Sequence, residues 1–187
     1  MRPGIETGIL RVRSIGGRGS EKTYVITQLV ENDLPRIMAL QDFIVRHLHY
    51  SSLLERFSSE FMREHLGRKG FALGVFSQGA LVGFRNVYFP GAQDPEWNLG
   101  RDIGLPGSQL TRVANLQMVC VHPDYRGNRL ALKMNRIALR LLRQGGNHDH
   151  ICATVSPLNI WNIAILLESG FHIRCVKPKY GGKMRYI

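Results

Sequence analysis

Acidic residues are scarce in this chain: 14 Asp and Glu stand against 25 Lys and Arg, a net charge of +11. Such an excess suits polyanionic ligands, whether nucleic acid, an acidic protein or a phosphate-rich cofactor. Yet the aromatic-interleaved basic motifs, helix-turn-helix pattern and zinc spacings of nucleic-acid modules are missing, so nucleic acid is not an expected partner. Cysteine is sparse too. Cys120, Cys152 and Cys175 each lie in an apolar, strand-like run, and an odd, scattered set of three excludes a disulfide framework or a metal site. No apolar run approaches the roughly 20 residues of a membrane span. The opening residues Met1-Arg2-Pro3-Gly4-Ile5-Glu6 contain no apolar core of a signal peptide. These absences together lead us to expect a cytoplasmic protein with reduced thiols and no membrane partner. Internal repeats and low-complexity segments are lacking as well.

What is present is enough for one well-formed domain: 187 residues, 44% of them hydrophobic. Residues 1–22 mix Gly4, Gly8, Gly16, Gly17 and Gly19 with four arginines and read as a flexible basic arm, with a short strand at 9–12. The domain proper spans 23–187. Its first strand is expected over 23–30. Asn32 or Asp33 then caps a helix to about Leu48, with Pro35 in its first turn. Ser52 and Glu55 have capping-box spacing and announce a second helix with Leu54, Phe57 and Phe61 inward. A hairpin of strands at 71–76 and 81–89 follows, then a long Gly/Pro/Asp/Asn-rich loop over 90–111 that reads as a lid or specificity loop. A strand at 113–121, a helix from about Gly127 to Arg143 ended by Gly145-Gly146, a strand at 151–155, a helix at 160–168 and strands at 171–176 and 184–187 complete the chain. The order β α α β β β α β α β β predicts an α/β fold, a mixed central sheet with helices on both faces.

The most informative stretch is Val119-Cys120-Val121-His122-Pro123-Asp124-Tyr125-Arg126-Gly127-Asn128-Arg129-Leu130-Ala131. A strand that turns through a glycine into a long helix aims free N–H groups and the positive end of a helix dipole at one point, a cradle for phosphate. Its spacing is neither that of the nucleoside-triphosphate loop nor the three-glycine dinucleotide fingerprint. Along the helix, Arg129, Lys133, Arg136, Arg140 and Arg143 fall on one face. That face is either solvated or, at Arg129 and Lys133, directed at phosphates.

The stretch resembles the coenzyme A pyrophosphate loop of the GNAT superfamily of N-acetyltransferases, whose pattern V-x-P-x-x-R/Q-x-x-G-x-G/A reads here Val121, Pro123, Arg126, Arg129 and Ala131. Arg129 replaces the middle glycine. A second hallmark, V-x-x-x-N followed by a helix ending in G-F, appears as Val155, Asn159 and Gly170-Phe171. The resemblance covers 23–187. It implies acetyl-CoA or coenzyme A as cofactor and an amine as acceptor, and it allows a homodimer. Val119, Cys120 and Val121 would meet the pantetheine arm through their backbone. Arg126, Gly127, Asn128, Arg129, Leu130 and Ala131 would wrap the pyrophosphate, and Asn159 and Asn162 would touch the arm from the next helix. Asn159 also suits a plain helix cap.

The implied reaction is direct attack of an amine on the acetyl thioester, which needs a base, an oxyanion donor and an acid for the departing thiol. A free N–H at Cys120 or Val121 is the expected oxyanion donor. The tyrosine that many relatives carry five residues before the G-F phenylalanine is Leu166 here, and the central-strand glutamate of many relatives is Gln117, whose amide takes no proton. Glu96 is the base we expect, ahead of Asp94, Asp102, His122, His47 and His49. Tyr50, Tyr88 and Trp97 are candidates to line the acceptor pocket. Those two losses leave a second reading open, a non-catalytic acyl-CoA-binding or sensor domain on the same fold.

Overall fold

The computed structural model of the chain describes residues 4–12, 19–48, 50 and 53–187. Strands β1 (Glu6–Val12), β2 (Ser20–Gln28), β3 (Gly70–Ser77), β4 (Ala80–Tyr88), β5 (Val113–Val121) and β6 (His150–Ala153) make one sheet in sequence order. Every neighbouring pair in it is antiparallel except β5–β6, which is parallel. Strands β7 (Val176–Lys179) and β8 (Lys183–Tyr186) form a separate hairpin. Helices α1 (Leu34–Arg46) and α2 (Ser59–Glu64) cover one face. Helix α4 (Leu130–Gly145) covers the other, and α5 (Ile160–Glu168) packs beside it.

The alternating pattern explains this layering. On β5, Ala114 and Leu116 enter the α4-side core, and so do Val119 and Val121, whereas Met118 and Cys120 enter the α1-side core. The parity changes because the register slips between Asn86 and Val87: Met118 faces Asn86, Leu116 faces Val87, and Gln117 is the extra residue. A bulge of this kind re-aims side chains and breaks the ladder locally.

Several expectations are corrected. Residues 6–12 are not an arm: they pair along their length with β2, and Leu10 and Val12 are buried. The proposed boundary at 22/23 therefore falls inside β2. Of the Gly16–Gly19 cluster, Gly16, Gly17 and Arg18 lie outside the described residues, as do Ser52 and His49. The second helix begins at Ser59, not near Ser52. The buried amide of Gln41 pairs with both backbone groups of Phe57, donating to its carbonyl at 2.8 Å and accepting from its N–H at 3.1 Å. That fixes Phe57 against α1, and Ser58, itself extended, caps α2 by accepting from Phe61 N–H at Oγ. The loop over 90–111 contains α3 (Leu99–Asp102), capped by fully buried Asn98, whose amide also donates to the carbonyls of Gly91 and Leu110. Residues 171–175 are not a strand; the hairpin starts at Val176.

A cleft where the parallel pair ends

The site arises because β5 outlasts its partner. Pairing with β6 stops at Leu116↔Ala153. Past that point Val155 exchanges both backbone hydrogen bonds with Tyr186 of β8, at 3.0 and 2.9 Å, and so leaves β5. A wedge opens between Gln117–Val121 on one side and the turn into α5 on the other. Which groups of β5 face it follows from the antiparallel rule. His122 N–H donates to Val82 carbonyl at 2.9 Å, so Val82/His122 is a bonded pair, and Phe84/Cys120 and Asn86/Met118 are bonded pairs in step with it. Val119 and Val121 therefore turn their N–H and C=O away from β4, into the wedge. Cys120 does not: its backbone belongs to β4 and its side chain is buried, the thiol pushed up to about 12 by burial. Of the two oxyanion donors expected, the geometry leaves Val121.

At the mouth of the wedge the chain turns through Pro123–Tyr125 into α4. Gly127 has φ +86°, with open space where a Cβ would stand, so it is required for its backbone angle. Arg129 also adopts a left-handed conformation, φ 57° and ψ 24°, as the residue before α4. The glycine of the motif pattern thus marks a positive-φ position, and arginine occupies it at a cost of about 1 kcal/mol. Among the described residues no backbone acceptor takes the N–H groups of Gly127, Asn128, Arg129 or Leu130 through Leu132. Six amides at the start of a 16-residue helix make an anion site of the ordinary kind.

The side chains nearby divide by what holds them. The Asn128 amide accepts from Arg11 N–H and donates to Arg11 carbonyl, both at 2.8 Å, and donates to Tyr125 carbonyl at 3.0 Å. Its role is to tie the turn to β1. Arg129 is ion-paired with Glu168 at the end of α5, and Arg136 reaches the same carboxylate at 3.5 Å. Lys133 donates to Tyr24 hydroxyl at 2.6 Å and to Glu6 at 3.2 Å. The reading of Arg129 and Lys133 as phosphate cations is therefore not supported by their placement; both are neutralised within the fold. Arg126, exposed, leans on Val121 carbonyl through Nε at 3.3 Å and has no acidic partner among the described residues. On the far wall, Asn159 Oδ1 caps α5 by accepting from Asn162 N–H at 3.1 Å. Asn162 Oδ1 is buried without a partner, which fits an acceptor awaiting a ligand N–H.

At the vertex stand Gln117, whose Nε2 is buried without a partner, and Thr154, the first residue beyond the last parallel pair. Thr154 Oγ1 lies 3.1 Å from the hydroxyl of Tyr180, at the tip of the β7–β8 hairpin. Burial pushes that hydroxyl above its ordinary range, against the hydrogen bond with Thr154. Tyr180 was missed in the sequence because only the folding-back of β8 onto Val155 brings it here. Its ring packs 5.3 Å from Trp97, which continues into Phe61 and Phe57. Trp97 thus stands near the vertex, whereas Tyr88 donates to Asp94 and meets the His65 ring in a tilted contact behind it. Tyr50 is exposed. Leu166 is buried in the core and offers no hydroxyl.

Of the candidate bases, Asp94 accepts from Tyr88 and Asp102 is bridged by Lys179 at 3.0 Å and Lys177 at 3.6 Å. His122 and His47 both stack on Phe43, with ring centroids 4.6 and 4.2 Å away. Glu96 is exposed; its carbonyl accepts from Lys179 at 2.6 Å, while its carboxylate forms no ion pair among the described residues. The structure brings it to the rim beside Trp97, not onto β5.

No family model and no curated protein sequence matches the chain. Solved structures do. An acetyltransferase of the GNAT family from Streptococcus pneumoniae superposes with a TM-score of 0.67 at 15% identity, over 87% of this chain and 96% of that one. The ribosomal-protein-S18-alanine N-acetyltransferase from Escherichia coli gives 0.61 at 16% identity, over 87% and 88%. The fold is that of the GNAT acetyltransferases. A third GNAT-like structure, the PaiA N-acetyltransferase from Thermoplasma acidophilum in complex with coenzyme A, gives 0.60 at 14% identity, over 87% and 96%. The mixed sheet with helices on both faces is borne out by these superpositions. No helix among the described residues is long and apolar enough to cross a membrane, and none of their His, Cys, Asp and Glu side chains cluster as a metal site would require.

Proposed function

We propose that the chain is an acetyl-CoA-dependent N-acetyltransferase. The observation that carries this reading is the open edge of β5 at Val119 and Val121, running directly into the free amides before α4. When bound there, acetyl-CoA supplies the activated acetyl group. Val119 would pair with the amides of its pantetheine arm as a neighbouring strand would, and the amides of Gly127–Leu132 with Arg126 would hold its diphosphate. Asn162 Oδ1 would accept from the arm on the opposite wall. The coenzyme A complex of the Thermoplasma protein supports coenzyme A as the cofactor.

Val121 N–H would then donate to the carbonyl oxygen as negative charge develops on it. Tyr180, held by Thr154 and protonated at neutral pH, takes the part of the absent hydroxyl at Leu166 and gives its proton to the departing sulfur. Glu96, at the rim, would receive the proton lost by the amine through water. A second reading, a non-catalytic acyl-CoA sensor, is favoured by Leu166 and Gln117. The two separate in one experiment. Acetyl-CoA should raise the melting temperature, and a panel of amines should release free thiol; stabilisation without thiol release would favour the sensor.

A further inference from the structure

Helix α5 is placed unlike other helices of its composition. Seven of its nine residues are apolar, yet only Leu166 is buried. A helix apolar on every side is ordinarily enclosed. Here Trp161 is 78% exposed and Ile160 63%, and Leu158, in the turn before them, 64%. Ala164 and Leu167 continue the exposed stripe along the helix. The stripe ends at Glu168, and Arg129 and Arg136 of α4 both reach that carboxylate. The exposed apolar face of α5 therefore abuts the cationic face of α4. Farther along α4, Arg140 and Arg143 are exposed, with no ion pair among the described residues. The charge of the chain is gathered in the same region. Residues 126–187 hold eleven Lys and Arg against two acids, Asp149 and Glu168, and so +9 of the net +11. Seven of the ten large hydrophobic side chains exposed among the described residues lie there as well.

We propose that α5 and the adjoining face of α4 form a docking surface for an anionic phospholipid membrane. Leu158, Ile160 and Trp161 enter the headgroup region, and Arg136, Arg140 and Arg143 meet lipid phosphates. Tryptophan is at home at such an interface, and the binding of a surface helix grows with its buried apolar area and with the cations beside it. The expectation of no membrane partner rested on the lack of a spanning run, which a surface contact does not need. Charge decides against a second copy as the occupant: a two-fold pairing of stripe on stripe would also bring the arginine faces of the two α4 helices together. Chemistry decides against nucleic acid, because the aliphatic Leu158, Ile160 and Leu167 offer bases neither a stacking plane nor a hydrogen bond.

The test mixes the full chain with vesicles of phosphatidylcholine, alone or with about 30% phosphatidylglycerol, and reads co-sedimentation and tryptophan emission. The chain should bind the anionic vesicles at least about tenfold more tightly than the neutral ones, and raising the salt from about 0.1 to about 0.5 M should release most of it. Emission should move to shorter wavelength on binding. The double variant Ile160→Asn/Trp161→Ser should bind at least about tenfold more weakly, and Arg140→Gln/Arg143→Gln at least about fivefold. All four side chains are exposed, so the melting temperature of each variant should stay within about 3 °C of the parent; if a variant does not fold, the two kinds of vesicle decide with the parent chain. Sedimentation with neither vesicle, or anionic binding with no change of emission and no loss in the Ile160→Asn/Trp161→Ser variant, would overturn the inference. So would a dimer in lipid-free solution that this variant dissociates, because a second copy would then occupy the stripe.

Discussion

The side-chain amide of Asn128 completes both backbone hydrogen bonds of Arg11, each at 2.8 Å, so the turn before α4 is anchored to the first strand of the sheet across 117 residues of sequence. The amide mimics a neighbouring strand, and the turn's own N–H groups are left pointing outward. On the proposed reading Asn128 would be a positioning residue for the diphosphate, its backbone and not its side chain meeting the ligand.

Asn128→Ala removes these two bonds and the third, to the Tyr125 carbonyl, each worth about 0.5–1.5 kcal/mol. Coenzyme A should bind about 5- to 50-fold more weakly by calorimetry, with kcat at saturating acetyl-CoA within about twofold of the parent. Unchanged affinity would show that β1 has no part in shaping the turn.

Arg129→Gly relieves a left-handed arginine, a gain of about 1 kcal/mol, and loses an exposed pair with Glu168 worth at most about 1 kcal/mol. The two nearly cancel. Melting temperature should move by no more than about 3 °C, and coenzyme A affinity should stay within about threefold. A tenfold loss would instead mean that the guanidinium leaves Glu168 for a phosphate.

Tyr180→Phe keeps the ring against Trp97 and deletes the hydroxyl beside Thr154. We expect kcat to fall at least about tenfold and KM for acetyl-CoA to remain unchanged. A thioester with a more acidic leaving thiol should recover most of the loss. Equal kcat would remove Tyr180 from the reaction.

Acid stability turns on His65. Burial lowers its basicity, countered by its bond to the Phe61 carbonyl, and Nε2 is buried without a partner. The folded imidazole is therefore neutral where the unfolded one, near 6.5, takes a proton. Its stabilising contribution is full above that value and is lost as the pH falls below it, by up to about 1.4 kcal/mol per pH unit. His148, also lowered by burial, adds in the same direction. His65→Phe, which retains a ring against Phe61 and Tyr88, should show a smaller drop in melting temperature from pH 7 to pH 5.5.

How much of this could be read in the sequence depends on how local each cause is. The strand–turn–helix at 119–131 was legible because helix ends and glycines act on their immediate neighbours, and Gly146 closes α4 at φ 65° where the glycine pair predicted an end. Arg129 stood out only as a departure from the glycine of the pattern. It is instead a residue strained into the angle the pattern demands. The second helix was misplaced because the competing partner of Phe57 is Gln41, 16 residues away and invisible to capping rules. The strand at 6–12 was read as an arm for the same reason: its glycines speak locally for flexibility, whereas Leu10 and Val12 are buried by pairing with β2. Tyr180 and the emptying of Lys133 from the phosphate site depend on contacts 26 and 127 residues apart. Composition and spacing carry no record of those.

The central claim is that the backbone amides ahead of α4, together with the free edge of β5, bind coenzyme A. Amide chemical shifts recorded while coenzyme A is added test it most directly. The account predicts the largest saturable shifts at Val119, Val121, Gly127, Asn128, Leu130 and Ala131, with smaller ones at Asn162 and Arg11. Unmoved resonances at these positions in millimolar coenzyme A, or shifts confined to another face of the protein, would contradict it.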